Sequence, residues 1–390
     1  MRESTRHAGR IALLALLSVT TLPAPVEAAY LDGYAAYQQG DYAKAFEEWR
    51  RLAEQGEAAA QASLADLYLG GLGMPADIGQ AIQWYRKAAD QGDVRSQFIL
   101  GSLHFAGQGV PQDDAQAALW YLKAAEQGHA KAQNMIGLMY LAGRGSLPRD
   151  EAVAAAWLRR AAEQGLAEAQ SNIGDMYASG RGVAQDDGEA AAWYRKAAEQ
   201  GNVAAQHRFA VMYTTGRGVA RDDGKALSWY RRAALQGYAP AQTDLGHIYI
   251  AGRGVAKNEA EAARWFRKAA EQGYAAAQTA MGDLYSSGLG GTPVDGAQAV
   301  VWYRKAAEQG DADGLNNLGV FHRDGVAVPK DPVLAGMLFR LAAARGSAAA
   351  RTNLAALAGS LTAEQAMRAD TLARDWQPGT AFPAETAPGR

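Results

Sequence analysis

Cysteine is absent from all 390 residues, so neither a disulfide framework nor a lipid-modified N-terminal cysteine is available and stability must come from packing. A strong charge of either sign is missing too: 39 Lys and Arg stand against 41 Asp and Glu, a formal net charge of −2. That balance argues against a nucleic-acid partner, because a phosphate backbone selects a strongly basic face. Long apolar runs are lacking. The run that opens the chain, residues 11–26, has 16 uncharged positions, short of the ~20 that span a bilayer. Histidine is scarce at six residues, and no pair has metal-ligand spacing, so no metal or cofactor is expected. Ser-x-x-Lys, Ser-Asp-Asn and Lys-Thr-Gly are all missing. No other nucleophile, base and orienting group can be assembled, and the sequence points to no catalytic residue.

The first 28 residues read as a secretory signal. Arg2, Arg6 and Arg10 form a positive n-region, residues 11–22 an apolar h-region, and Val26-Glu27-Ala28 a small-residue cleavage site. The mature chain is expected to begin at Ala29 and to reside in the periplasm or outside the cell. No later apolar run is long enough to cross a membrane.

Glycine is plentiful, with 44 residues, and most of it falls at fixed places. Gly56, Gly92, Gly128, Gly165, Gly201, Gly237, Gly273, Gly310 and Gly346 follow at steps of 36, 36, 37, 36, 36, 36, 37 and 36 residues. This period belongs to helical repeat arrays, in which each unit buries itself mainly against its neighbours.

Counted from the marker glycine, each first helix carries apolar residues at offsets 8, 11 and 12, as in Ile173, Met176 and Tyr177, the spacing of an amphipathic helix. Offset 9 is glycine in six units, which predicts close approach of another helix. A Gly-x-Gly turn such as Gly180/Gly182 ends the helix. Asp41, Asp77, Asp113, Asp150, Asp186, Asp222, Asn258, Asp295 and Asp331 then open the second helices as N-caps. The second helices carry a tryptophan row from Trp84 to Trp302, with alanine four residues on, and this row is read as inter-helix core.

The unit A-Q-x-x-L-G-x-L-Y-x-x-G-x-G-V-x-x-D-x-x-x-A-x-x-W-Y-x-K-A-A-E-Q-G resembles the Sel-one-like repeat (SLR) family, relatives of the tetratricopeptide repeats. The resemblance implies an all-α fold: an α-solenoid of stacked antiparallel helix pairs in a right-handed superhelix, with first helices lining the concave face. The expected organisation is a signal peptide at 1–28, a tetratricopeptide-like helix pair at 29–56, eight Sel-one-like repeats at 57–346, capping helices at 347–376 and a disordered tail at 377–390. By this resemblance the protein is a non-catalytic interaction scaffold that binds a protein or peptide and regulates an envelope complex or a signalling pathway. The alternative is a cell-wall-linked β-lactamase-like or penicillin-binding activity, which rests on family analogy alone.

With that geometry, the concave surface falls on the variable offsets 6 and 10 of the first helices. The candidate binding residues are Asn134, Ser171, Asp175, His207, His247 and Asp283. A second candidate is the edge ladder Arg144, Arg181, Arg217 and Arg253, one arginine in each of four successive turns, suited to an acidic partner or balanced by nearby aspartates.

Overall fold

The computed structural model describes residues 24–383, and among these the regular structure is helical, with no strand. The expected n-region, the h-region and the last residues of the tail lie outside the described residues. The chain opens with α1 (Ala24–Gln38) and α2 (Tyr42–Glu54). Pairs of 13-residue helices follow: α3 (Ala58–Gly70) and α4 (Ile78–Asp90), α5 (Val94–Ala106) and α6 (Asp114–Glu126), α7 (Ala130–Ala142) and α8 (Glu151–Glu163). Next come α9 (Ala167–Ser179) and α10 (Asp187–Glu199), α11 (Val203–Thr215) and α12 (Asp223–Leu235), α13 (Ala239–Ala251) and α14 (Glu259–Glu271). The last are α15 (Ala275–Ser287) and α16 (Gly296–Glu308), α17 (Ala312–Asp324) and α18 (Pro332–Ala344), then α19 (Ala348–Ala358) and α20 (Ala363–Asp375). The chain forms two compact units, Met1–Trp193 and Tyr194–Arg390, the division falling inside α10.

Each boundary has a local cause. All nine Asp or Asn caps accept backbone N–H bonds from their own first turn, as Asp113 does from Ala115 and Gln116 at 2.9 and 3.0 Å. The first glycine of each turn takes the left-handed conformation that ends the helix, with φ from 62° at Gly71 to 74° at Gly288. The second glycine lies against the start of the second helix one unit back. At Gly182 a Cβ would sit 2.0 Å from the Glu151 carbonyl oxygen, and at Gly145 2.3 Å from that of Asp114.

The glycine at offset 9 has the predicted reason. Its missing side chain makes room for a ring or branched chain of the second helix: Tyr121 over Gly101, Leu158 over Gly137, Phe266 over Gly246 and Tyr303 over Gly282. These partners belong to the row one residue after the tryptophans, and they are the deepest large side chains of the second helices. The tryptophans flank the core instead of centring it. Trp120 and Trp265 are buried, whereas Trp84, Trp157, Trp229 and Trp302 are half-buried. Where described, a Lys or Arg three residues on covers the other indole face, at 3.9 Å for Lys87 over Trp84 and 4.7 Å for Arg160 over Trp157. The alanines four residues beyond, such as Ala124 and Ala269, are fully buried as expected.

A buried polar spine joins successive units. The glutamine at offset 5 donates to a carbonyl of the preceding second helix, as Gln133 does to Ala125 and Gln242 to Ala234 at 3.1 and 3.0 Å. Its own oxygen accepts from the glutamine that ends the following second helix: Gln127 to Gln97 at 2.8 Å, Gln164 to Gln133 at 2.7 Å, Gln272 to Gln242 at 2.7 Å. Buried amides are tolerated because these bonds satisfy them.

His104 departs from this frame. It replaces the row tyrosine in α5, is buried, and neither ring nitrogen has a hydrogen-bond partner. Burial, and then the nearby Arg86 charge, lower its pKa below 6.5, partly opposed by Asp113. The unfolded chain therefore takes up this proton first, and stability falls as pH drops below about 6.5 until the folded pKa is passed. H104Y is expected to flatten that acid-side loss. Urea midpoints at pH 7.5 and 5.5 check it, and an unchanged difference between the two pH values would exclude His104 as the source.

At the C-terminus Thr362 and Gln365 form the expected capping box, and Ala369 and Trp376 are buried. The Pro/Gly-rich stretch that follows is ordered at its start, where composition alone suggests disorder. Phe382 stacks on Trp376 at 5.3 Å, Trp376 Nε1 donates to the Thr380 carbonyl, and the Gly379 amide donates to the Glu308 carbonyl at 2.7 Å. Two aromatic rings supply the apolar area that the composition of the rest of the stretch does not.

Candidate functional site

First helices differ most at offsets 6, 7 and 10, and the structure separates these rows. Offset 6 is the inner one. Asn134, Ser171, Thr243, Thr279 and Asn316 are buried. Several bond across to the first helix of the next unit: Asn134 accepts from Asn172 at 2.9 Å, Asn316 accepts from Asn353 at 2.9 Å, and His207 Nε2 meets Asp244 Oδ2 at 2.8 Å. This row locks neighbouring units together. Offset 10 is the outer row: Asp175 is half-buried, and His247 and Asp283 are exposed.

Of the six candidate residues, the structure brings His207, His247 and Asp283 onto one face of the second unit. Asn134, Ser171 and Asp175 lie in the first unit. In the second unit α11, α13, α15 and α17 present a polar groove. His207 packs edge-on against Tyr230 and Tyr238, with ring centroids at 5.6 and 5.5 Å. Beside it a cleft of about 430 Å³ is lined by Thr214, Tyr230, Asp244, His247, Ile248 and Arg253, among others. Burial pushes the Tyr230 phenol up to about 12, with a bond to Thr214 working against it and the Asp244 charge adding to it. His247 stands edge-on to Phe266 at 4.9 Å.

Further along, Asp283 Oδ1 accepts from Tyr303 Oη at 2.7 Å and from Asn317 Nδ2 at 3.1 Å. The residue is exposed, but its carboxyl tip is enclosed by these two partners. Desolvation raises its pKa and the two hydrogen bonds oppose the rise. Burial raises the Tyr303 phenol as well, so it stays protonated and donates, and the carboxylate beside it accepts. The arrangement suits recognition by hydrogen bonds and charge.

On the corresponding face of the first unit one outer-row carboxylate is neutralised within the fold, which sequence reasoning missed. Asp66, at offset 10, accepts from Tyr85 Oη at 2.5 Å and pairs with Arg95 Nη2 at 2.5 Å, the two charged side chains being only 18% and 19% exposed. Arg95 sits at offset 3, a row not considered from sequence. The signal was available: it is the one arginine in a row that elsewhere holds Ala59, Lys131, Glu168, Ala204, Pro240, Ala276, Asp313 and Ala349, with a carboxylate one unit back.

The arginine ladder is largely engaged within the fold. Arg144 forms a two-pronged pair with Asp114 at 2.8 and 3.1 Å, and Arg181 pairs with Glu151 at 2.9 Å. Arg253 lies close enough to Asp223 to help lower its pKa, after Arg221. Arg217 is exposed in the equivalent turn. Acid and arginine stand 30 residues apart, so each bridge ties a turn to the second helix one unit back, weakly because solvent screens such exposed pairs. Among the described residues no group of three or more His, Asp or Glu is arranged to hold a metal ion.

A family model described as Sel1 repeat matches eight consecutive segments: 58–93, 94–129, 130–166, 167–202, 203–238, 239–274, 275–311 and 312–347. The chain is similar to the crystal structure of c5321, a protective antigen present in uropathogenic Escherichia coli strains displaying an SLR fold. Identity is 38% over 84% of this chain and 71% of that one, with a TM-score of 0.69. It is also similar to a Sel1 repeat protein from Oxalobacter formigenes, at 35% identity over 80% of this chain and 89% of that one, TM-score 0.60. None of the curated proteins matches.

Proposed function

Because the chain belongs to the Sel1 repeat family, helical scaffolds that generally mediate protein–protein interaction, we propose that it is a non-catalytic scaffold, exported to the periplasm or secreted, that holds a protein or peptide on the first-helix face of its second unit. By this reading it regulates an envelope complex or a signalling pathway through that partner.

The observation that carries the reading is the contrast between the two units. In the first, the outer-row carboxylate Asp66 is neutralised by Arg95. In the second, Asp283 is held only by the neutral groups of Tyr303 and Asn317, and His247 lines an open cleft beside Asp244. Polar groups that the fold itself does not neutralise, set beside apolar walls such as Ile248, are what a peptide site requires. The signal-like residues 1–28 support the location.

The test is affinity capture from a periplasmic fraction with the parent and with H247A/D283N. The asparagine keeps an oxygen that can accept from Tyr303 and Asn317, and His247 is exposed, so the variant should unfold close to the parent. A partner recovered by the parent and reduced at least tenfold by the variant is expected. Equal recovery would remove this face from the proposal.

A further inference from the structure

We propose a second recognition site, independent of the first-helix face: a cationic cleft between α14 and the turn at 288–293 that anchors a carboxylate side chain of an acidic peptide. The cleft has a volume of about 360 Å³. Arg264 and Arg267 stand one helical turn apart on α14, facing Tyr285 and the loop residues Gly291, Thr292 and Pro293.

The repeat supplies its own control. The equivalent cleft in the first unit contains Arg159, Tyr177, Glu163, Asp186 and Glu189. There Arg159 donates to Tyr177 Oη at 2.5 Å, and three carboxylates line the walls. In the 288–293 cleft Glu271 and Asp295 keep the positions of Glu163 and Asp186, but neither lines it. The position of Glu189 is held by Gln298, and no carboxylate lines the cleft. Arginine at the position of Arg264, nine residues before the marker glycine, occurs in this unit alone, the others having Glu47, Gln83, Leu119, Ala156, Ala192, Ser228, Val301 or Met337. The loop is also one of the two that carry an extra residue.

Three donors are left waiting. Neither the Arg267 guanidinium nor the hydroxyls of Tyr285 and Thr292 have a hydrogen-bond partner among the described residues, although Arg231 and Tyr249, the same pair one unit earlier, bond each other at 2.6 Å. Arg264 has only an exposed contact to Glu261 at 3.3 Å, with its side chain 76% exposed, and that pair is easily exchanged. Guanidinium groups that converge with hydroxyl donors match a planar carboxylate. The floor is apolar, formed by Ala260, Ala263 and Pro293, so it suits the carbon chain of a glutamate better than a free hydrated ion.

The probe is a fluorescein-labelled hexaglutamate peptide, its binding followed by anisotropy. R264Q/R267Q is compared with R50Q/R51Q, which removes the same charge from exposed positions on α2. The expected result is saturable binding to the parent, at least tenfold weakening by R264Q/R267Q, less than twofold by R50Q/R51Q, and no displacement by millimolar inorganic phosphate. The proposal fails if hexaglutamate does not saturate, if the two variants lose affinity equally, or if phosphate displaces the peptide. Matching thermal unfolding of both variants shows that lost affinity is not lost fold. Because H247A/D283N leaves this cleft intact, failure here is distinguishable from failure of the first-helix site.

Discussion

Gly182→Ala is expected to cost about 2–5 kcal/mol, the sum of ~1–2 for placing a Cβ at positive φ and ~1–3 for forcing atoms into packed space. The native φ is +66°, and the new methyl would lie 2.0 Å from the Glu151 carbonyl oxygen and 2.3 Å from its carbon. Backbone cannot swing aside as a flexible side chain does, so the turn has to lift off α8. Gly165→Ala is the control. Its φ is +91°, but nothing lies within 4 Å, so only the conformational part, about 1–2 kcal/mol, should appear. Urea unfolding of both variants measures the difference. Equal losses would mean that the glycine serves the turn alone and that its contact with the previous helix is of no energetic consequence. Hydrogen exchange should further place the damage in the helices next to the turn, as expected where each unit touches only its neighbours.

Asp66→Ala is expected to cost about 3 kcal/mol, near the lower end of the ~3–5 measured when one partner of a buried ion pair is removed. The lower end is appropriate because the pair is not wholly buried, with side chains 18% and 19% exposed. Truncation leaves the Arg95 charge uncompensated and the Tyr85 hydroxyl without its acceptor. The double variant D66L/R95M removes both charges together and should be more stable than the single one, since apolar replacements avoid the desolvation cost of an unpaired charge. A loss below about 0.5 kcal/mol for D66A, the scatter of ordinary surface substitutions, would show that solvent reaches the pair and that the fold does not neutralise this carboxylate.

The frame was legible because each part of it is a short-range rule. An aspartate before a helix, a glycine after one and an apolar stripe at helical spacing act within a few residues, and all nine caps and the Gly-x-Gly turns behave accordingly. What the sequence concealed lies at separations of one unit. Gln133 and Gln164 are each unremarkable polar residues, and only their meeting at 31 residues' distance makes a spine. Tryptophan and the residue after it are adjacent in the chain but face different surroundings. Size drew attention to Trp229, whereas Tyr230 is the residue that packs into the core. The same applies to the candidate site. Offsets 6 and 10 vary equally as letters, yet Asn134 turns inward to Asn172 while His247 and Asp283 turn outward. Four residues apart, the two rows lie within about 40° of each other on the helix, so which of them is covered is set by where the neighbouring helix packs.

The glutamine spine has an evolutionary consequence. Every joint it makes in the second unit uses the same two side chains and the same carbonyl, as Gln236 with Gln206, Gln272 with Gln242 and Gln309 with Gln278 illustrate. If a gene lost the codons for residues 239–274, Gln278 would meet the carbonyl of Ala234 in place of that of Ala270, and the new joint would be chemically identical to the old one. Duplication works the same way in reverse. Recombination that changes copy number by one unit therefore leaves no unmatched joint in the spine, and the array can lengthen or shorten without losing the bonds that hold neighbours together.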